Sequence, residues 1–225
     1  TFGHPCEIDS ISDICKKYKI PLLEDAAESL GSFYKKKHTG NFGDAGIFSF
    51  NGNKTITTGG GGAIISNNQE FYSKAKHITT TAKLPHKWNY IHDQVAYNYR
   101  LPNLNAALGC AQIESIDKII FKKRRLFKIY SDLIKNISNV TLFSEPENCK
   151  SNYWLQTLIL EKPLWKYKND ILLSLNNEGI MSRPVWNLIS NLKPYLNCPR
   201  SELDISLELE KSIINIPSSP KLYDY

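Results

Sequence analysis

The sequence lacks the short motifs that identify several common enzyme classes. It contains no CxxC pair, no HExxH motif and no GxSxG motif. A zinc site, a zinc-dependent peptidase and a serine hydrolase with a nucleophile elbow are therefore not indicated. The stretch 52–55 reads Gly-Asn-Lys-Thr, but the first glycine of a phosphate-binding loop is absent and an asparagine separates Gly52 from Lys54. We therefore reject an NTPase loop.

Long apolar runs and paired cysteines are also missing. No stretch reaches the roughly 18 consecutive apolar residues of a membrane span, so no membrane association is predicted. The cysteines are odd in number and widely spaced, which argues against a disulfide framework and favours a reducing, cytoplasmic setting. Lys and Arg outnumber Asp and Glu by 28 to 22, but they are scattered along the chain. A nucleic-acid partner is therefore not expected, whereas an anionic small ligand fits.

Glycine is scarce in the second part of the chain. Eleven of the twelve glycines lie at or before Gly109, and only Gly179 follows. This shift in composition predicts two domains, at 1–120 and 121–225. In the first we expect strands at 21–24, 45–50 and 63–66, the strand at 21–24 being buried in a parallel sheet. The second is predicted to be a small α/β domain.

Two helical segments carry more detailed predictions. Apolar residues at helical spacing predict a helix over 8–19, with Asp9 or Ser10 as its N-cap. A second apolar pattern begins at Leu104 and continues to about Ile137, with a break near Phe121. Its residues Leu104 and Leu108 are expected to lie on one face.

Charged residues follow two of the predicted strands. Asp25 follows the strand at 21–24, and the strand at 45–50 leads into a turn that contains Lys54. Open α/β sheets present functional side chains at the carboxyl ends of their strands. An amine and a carboxylate placed there suit a Schiff-base lysine and the partner of a cofactor ring nitrogen. Two plainer roles fit as well, Asp25 as a helix N-cap and Lys54 as a solvated surface charge.

Two neighbouring features bear on an anion. Ser49 could bind a phosphate or could bond to the backbone within its strand. The run Gly59–Gly62 could bring the backbone close to an anion or could form a flexible turn.

Several motifs occur together in a fixed order. They are Glu24-Asp25-Ala26-Ala27-Glu28, Phe48-Ser49-Phe50 with Lys54, the Thr-Gly-Gly-Gly-Gly run, Tyr97-Asn98-Tyr99-Arg100 and Asn105-Ala106-Ala107-Leu108-Gly109. This set resembles the DegT/DnrJ/EryC1 family of pyridoxal 5'-phosphate (PLP)-dependent sugar aminotransferases. The segments FGHPCEID, 77–88, SNYWL, SRPVW and INIPSS resemble its LegC-type subgroup.

The resemblance implies a fold and a set of roles around the cofactor. The fold is α/β, aspartate aminotransferase-like, with a partial large domain built on a mixed, mostly parallel sheet and a small C-terminal α/β domain. Lys54 would form the Schiff base and carry the proton, and Asp25 would face the pyridine nitrogen. Glu28 stands where the family often has glutamine or histidine near the cofactor O3′. Ser49 would bind the phosphate, and Asn98 would reach the phosphate of the other subunit's cofactor, which implies a homodimer.

The resemblance also implies the substrates. L-glutamate would give its amino group to C4 of a UDP-linked 4-keto-6-deoxy-N-acetylhexosamine, on a route to legionaminic acid or a bacillosamine-type surface glycan. The expected contacts to the sugar nucleotide are His86, Trp88, Arg183 and Trp186. A sugar dehydratase of the same family is disfavoured, because those enzymes have histidine in place of the lysine at Lys54.

The family's large domain has a further N-terminal portion that this sequence does not contain. We therefore expect the sequence to be part of a larger unit. The alternative function is a partial chain that only dimerises or binds a nucleotide sugar.

Overall fold

A computed structural model describes residues 1–224. The strands in these residues are short, each of two to five residues. They are β1 (Leu23–Asp25), β2 (Phe33–Tyr34), β3 (Lys37–His38), β4 (Ala45–Ser49), β5 (Gly62–Ile65), β6 (Lys83–Leu84), β7 (Ile91–His92), β8 (Val140–Leu142), β9 (Cys149–Lys150), β10 (Gln156–Leu160), β11 (Arg183–Pro184) and β12 (Ile213–Ile216).

The described residues also form six α-helices. They are α1 (Ile8–Tyr18), α2 (Gln69–Thr79), α3 (Asn103–Glu114), α4 (Ile116–Ile134), α5 (Lys168–Asn177) and α6 (Asp204–Ser212). Short 3₁₀ turns occupy Lys162–Tyr167, Ile189–Asn191, Lys193–Tyr195 and Pro220–Asp224.

The predicted N-cap of the first helix is wrong. Helix α1 begins at Ile8, its N-cap is Glu7, and no side chain caps its first turn. Asp9 lies inside the helix and its carboxylate pairs instead with Lys35. The helix ends as predicted, where Lys19 adopts a left-handed conformation and its N–H bonds back to the last turn.

The predicted break in the long helix is also misplaced. Helices α3 and α4 meet at Ser115, whose φ of −102° and ψ of 3° leave the helical region. Ser115 therefore separates the two helices six residues before Phe121. Leu104 and Leu108 are both exposed, so the apolar face predicted for this segment is not buried within the described residues.

The chain forms two compact units. The first contains residues 1, 3–120 and 146–152, and the second contains residue 2, residues 121–145 and the residues from 153 onward. The segment 146–152 lies in the first unit although the residues on both sides of it belong to the second. Strand β9 explains this placement, because it pairs antiparallel with β2 of the first unit.

A three-stranded sheet of order β1-β4-β5 organises the first unit. It is mixed, with β1 parallel and β5 antiparallel to β4. Gly46 permits a close backbone approach here, since a Cβ at this position would lie 2.2 Å from the carbonyl oxygen of Gly40. The prediction that β1 is buried is wrong for the described chain: β1 is an edge strand and Leu23 is 67% exposed.

Smaller sheets complete the first unit. A three-stranded sheet has the order β3-β2-β9, and β6 and β7 form a separate hairpin. A single bridge between Thr80 and Asn98 closes the base of the segment that contains this hairpin.

The second unit is built on a four-stranded sheet of order β11-β12-β10-β8, antiparallel throughout. Its core contains Leu160, Ile214 and Ile216. Ile171 and Leu172 of α5 pack against this cluster. Burial of such aliphatic side chains, at about 1.5–3 kcal/mol each, provides the driving force for this unit.

Lys123 of α4 is a charged residue inside the second unit. Its Nζ donates to the carbonyl oxygens of Trp154 at 3.1 Å and Ser218 at 2.6 Å. Burial disfavours the charged form of the amine and lowers the pKa of Lys123 to about 8. A neutral amine retains two N–H donors, so it can keep both hydrogen bonds.

We expect the free energy of unfolding to rise with pH because of Lys123. Below the folded pKa of about 8 the amine is protonated in both states, and from there to its ordinary value of 10.5 only the unfolded chain holds the proton. Raising the pH from about 7.5 to about 9.5 should therefore stabilise the fold by about 2 kcal/mol relative to Lys123→Met, which has no such amine. Urea unfolding of both proteins at the two pH values measures this difference. Equal pH slopes for the two proteins would contradict the assignment.

Three further observations bear on function. Within residues 1–224 no helix is long and apolar enough to cross a membrane. In the same residues no group of three His, Cys, Asp or Glu side chains is placed to hold a metal ion. None of the five cysteines, all of which lie in the described part of the chain, forms a disulfide.

Candidate active site

Asp25 and Ser49 end two neighbouring parallel strands. Asp25 pairs in register with Ile47, so Ser49 lies two residues farther along in the same direction. Asp25 Oδ1 accepts a hydrogen bond from the N–H of Ala27 at 3.1 Å, and Ser49 Oγ accepts one from the N–H of Asn51 at 3.3 Å. Each side chain therefore orders the turn after its strand. Both retain capacity for a ligand, because a carboxylate has a second oxygen and a hydroxyl can still donate.

Lys54 and Glu28 form an ion pair beside these strand ends. Glu28 follows Asp25 by three residues, and Lys54 Nζ donates to Glu28 Oε1. Their side chains are only 12% and 29% exposed, respectively. The pair is therefore partly shielded from water, and the surface role considered for Lys54 does not describe its surroundings.

The turn that carries Lys54 is fixed at both ends. The N–H of Thr58 donates to the carbonyl oxygen of Phe50 at 3.0 Å, and the N–H of Phe50 donates to that of Gly61 at 2.9 Å. Asn105 of α3 holds the turn from outside, its Nδ2 donating to the carbonyl oxygen of Thr58 at 2.5 Å. Gly61 has a φ of 97°, which favours glycine, so the glycine run lets the chain reverse into β5. Its predicted contact with an anion stays a prediction.

Glu24, just before Asp25, has a role that the sequence did not indicate. Its carboxylate accepts hydrogen bonds from the backbone N–H groups of Gly40, at 2.7 Å, Phe42, and Gly43, at 2.7 Å. It therefore orders the glycine-rich loop after β3. The only signal in the sequence was an acidic residue at the end of the otherwise apolar run 21–24.

Asn152 is the second residue that the sequence reasoning missed. Its Nδ2 lies 2.8 Å from the carbonyl oxygen of Glu28 and 3.1 Å from Oγ1 of Thr55. The residue is fully buried. The motif SNYWL contains it, but nothing in the spacing pointed from Asn152 to Glu28, which lies 124 residues earlier.

A cavity of about 300 Å³ opens beside the end of β1. Asp25 and Glu28 line it, together with His4, Tyr34 and Thr39. Two carboxylates predicted to face a cofactor therefore share one cavity.

Asn98, His86 and Trp88 lie elsewhere in the first unit. Asn98 and His86 line a cavity of about 490 Å³ with Arg100, and neither Lys54 nor Asp25 lines it. His86 Nδ1 accepts from the N–H of Asn89 at 2.9 Å, and the His86 ring meets Trp88 edge-on at 5.1 Å. Trp88 is 74% exposed. Within one chain, Asn98 and His86 therefore form a group of their own.

Arg183 and Trp186 belong to the second unit. Arg183 is exposed on β11, where it pairs in register with Asn215. Trp186 stacks on Trp154 with ring centroids 6.0 Å apart, and on Phe2 at 6.3 Å. The exposed part of Trp186 remains available for a ligand.

The groups around Lys54 fit PLP. The cofactor needs an amine for its aldehyde, a carboxylate for its ring nitrogen and hydrogen-bond donors for its phosphate. Lys54 offers the amine, Asp25 the carboxylate and Ser49 a hydroxyl, all at the carboxyl-end side of the β1–β4 pair.

Comparison with known proteins agrees with this chemistry. The model of the DegT/DnrJ/EryC1/StrS aminotransferase family matches residues 1–224. EpsN of Bacillus subtilis (strain 168), provisionally named a pyridoxal phosphate-dependent aminotransferase, is 42% identical over 185 residues, which cover 82% of this chain and 47% of EpsN. GDP-perosamine synthase of Vibrio cholerae is 36% identical over 224 residues, or 99% of this chain and 60% of the enzyme. The chain thus spans about half to three fifths of these relatives.

A solved structure supports the fold class. Helicobacter pylori PseC, described as an aminotransferase involved in the biosynthesis of pseudoaminic acid, superposes with a TM-score of 0.93 at 26% sequence identity. The match covers 98% of this chain and 60% of PseC. The predicted α/β fold, a partial form of the PLP-dependent transferase fold, is confirmed. The chain belongs to the DegT/DnrJ/EryC1/StrS aminotransferase family, whose cofactor is PLP.

Proposed function

We propose that this chain carries the PLP site of a sugar-nucleotide aminotransferase. The amino group would pass from L-glutamate to C4 of a UDP-linked 4-keto-6-deoxy-N-acetylhexosamine, in legionaminic acid or bacillosamine-type surface glycan synthesis. The observation that carries this proposal is the shielded Lys54–Glu28 pair beside the strand ends of Asp25 and Ser49.

Each of these residues has a distinct task. When bound, PLP supplies an electron-withdrawing ring that stabilises negative charge on the carbon next to the transferred nitrogen. Lys54, once its amine is neutral, would take a proton from that carbon and return one to the carbon on the other side of the nitrogen. Asp25 would hold a proton on the ring nitrogen through its negative charge. Ser49 would donate to the phosphate and so fix the ring's position.

Glu28 is the group that can exchange a proton with Lys54. Its carboxylate already accepts a hydrogen bond from the amine, so a proton leaving Lys54 has an acceptor within contact distance. A glutamine or histidine at this position would not combine that contact with a full negative charge. We therefore propose two roles for Glu28: its carboxylate balances the charge of the Lys54 amine, and it lies near the cofactor O3′.

The substrate contacts are proposed from chemistry. His86 and Trp88 in the first unit, and Arg183 and Trp186 in the second, offer aromatic faces for a base and a guanidinium for a diphosphate. Asn98 would reach the cofactor of a second copy, which makes a homodimer part of the proposal. The LegC-type motifs favour UDP as the nucleotide of the substrate. The name of the Vibrio cholerae relative, GDP-perosamine synthase, indicates a GDP-linked sugar for that protein.

The proposal also includes a domain border and a cellular location. We place the border between the large-domain part, 1–120, and the small domain, 121–225, within α4, where the second compact unit begins. The enzyme would act in the cytoplasm.

Amino transfer from L-glutamate to a nucleotide-linked keto sugar tests the proposed function. Purified chain with PLP should release 2-oxoglutarate from L-glutamate, one molecule per PLP bound. It should then aminate a UDP-linked 4-keto-6-deoxy-N-acetylhexosamine with a kcat/KM at least about tenfold above that for a GDP-linked 4-keto sugar. Mass spectrometry of both products measures this ratio. Release of no 2-oxoglutarate would favour a partial chain that only dimerises or binds a nucleotide sugar, and a preference for GDP would overturn the proposed substrate.

A further inference from the structure

The buried amide of Asn152 touches both chain segments that carry the Lys54–Glu28 pair. Its Nδ2 lies 2.8 Å from the carbonyl oxygen of Glu28 itself. It also lies 3.1 Å from Oγ1 of Thr55, the residue next to Lys54. One side chain therefore links the segment that carries Glu28 to the segment that carries Lys54.

The amide is held in place by further contacts. Nδ2 also lies 2.8 Å from the carbonyl oxygen of Leu30, and the backbone N–H of Asn152 donates to Oγ of Ser32 at 2.9 Å. Ser32 Oγ in turn donates to the carbonyl oxygen of Gly3 at 2.6 Å. Strand β9, two residues earlier, pairs with β2 and fixes the backbone that presents Asn152. Its amide nitrogen thus faces three oxygen atoms and has two protons to share among them.

These contacts require a side-chain amide, whose nitrogen can donate to the surrounding oxygen atoms. An aspartate would place negative oxygens against two carbonyls, and an alanine would leave all three acceptors without this partner. The backbone of Glu28 and the hydroxyl of Thr55 would then be free to move apart. The ion pair between Glu28 and Lys54 would loosen as a consequence, because its two segments have no covalent link closer than 26 residues.

We propose that Asn152 is a positioning residue for Lys54. By holding the segments of Glu28 and Thr55 together it keeps the Lys54 amine paired and restricts its access to reagents, so that only a ligand seated in the site meets the amine in the right orientation. The part of this inference that concerns the cofactor rests on the proposed function. The part that concerns the Lys54–Glu28 contact does not.

Reductive methylation separates this role from a purely structural one. The chain and its Asn152→Ala variant are treated with limiting formaldehyde and a borane reductant, well below their unfolding temperatures, and methylated lysines are quantified by peptide mass spectrometry. Lys35, which pairs with Asp9 on the surface of the same unit, is the internal reference. The control variant is Thr157→Val, which removes a buried hydrogen bond of 2.9 Å to Asn215 in the second unit.

We expect the ratio of Lys54 to Lys35 methylation to rise by about three- to tenfold in Asn152→Ala and to stay unchanged in Thr157→Val. If Asn152→Ala does not fold, Thr55→Val removes one of the three acceptors and should raise the ratio in the same direction. An unchanged ratio in the folded variant used would overturn the proposal.

A second readout uses PLP. Borohydride trapping of PLP on Lys54 should show a maximal rate about tenfold lower in Asn152→Ala, with a nearly unchanged half-saturating PLP concentration, because Ser49 is untouched. A raised half-saturating concentration with an unchanged maximal rate would contradict positioning of Lys54. If the parent chain traps no PLP, the proposed function fails while the methylation ratio still decides the role of Asn152.

Discussion

Lys54→Ala is expected to abolish covalent attachment of PLP and to lower the rate of amino transfer from L-glutamate by about 10²–10⁴-fold. The range is that of a positioned acid–base group, and no other amine in the described residues is placed against Glu28. The measurement is borohydride reduction of the chain with PLP, followed by peptide mapping. In the parent chain the reduced label should be found on the peptide that contains Lys54.

The matched control is Lys35→Ala. This amine also pairs with a carboxylate, that of Asp9, but its side chain is 54% exposed and it lies in the turn of the β2–β3 hairpin. Its loss should leave labelling and amino transfer within about twofold, since exposed pairs contribute little. A label that persists in Lys54→Ala, on any lysine, would remove Lys54 from the proposed role.

The positions of Asp25 and Ser49 at neighbouring strand ends could be predicted from sequence because their signals are local. A short apolar run followed by Asp25, and another containing Ser49, are patterns within about ten residues, and the parallel pairing of β1 and β4 brings the two strand ends together. The ion pair of Lys54 depends instead on a contact with Glu28. The sequence suggested a cofactor role for Glu28 only through resemblance, and the contact itself needed the folded turn.

Long-range contacts explain what the sequence could not show. Asn152 acts on Glu28 across 124 residues, and its signal is a single polar residue in an aromatic-rich motif. The exposure of Leu23 and Leu104 could not be predicted either, because it results from packing contacts that these side chains do not make. Apolar spacing tells which residues can be buried, but burial also requires a neighbouring element, and the described chain supplies none to these side chains.

Two substitutions of Asp25 distinguish a cap of the turn after β1 from a partner of the cofactor ring nitrogen. Asp25→Asn keeps a side-chain oxygen that can accept from the N–H of Ala27, so the turn after β1 should survive. Asp25→Ala removes that oxygen and should lose both the turn bond and the charge. If Asp25 only caps the turn, Asn should behave as the parent chain and Ala should be less stable, by about 0.5–2 kcal/mol.

If Asp25 faces the ring nitrogen, Asp25→Asn should instead fold like the parent chain and lose about 10²–10³-fold in the rate of amino transfer, because a neutral amide cannot stabilise a protonated ring as a carboxylate does. Urea unfolding gives the stability of both variants, and single-turnover release of 2-oxoglutarate gives the rate. PLP should still be trapped on Lys54 in Asp25→Asn, since the amine and its Glu28 partner are unchanged. An Asn variant with the parent's rate would return Asp25 to the role of a cap. The carboxylate for the ring nitrogen would then have to be sought among the other carboxylates that line the same cavity, Glu24 and Glu28. Glu28 would be tested first, because the carboxylate of Glu24 already accepts hydrogen bonds from three backbone N–H groups.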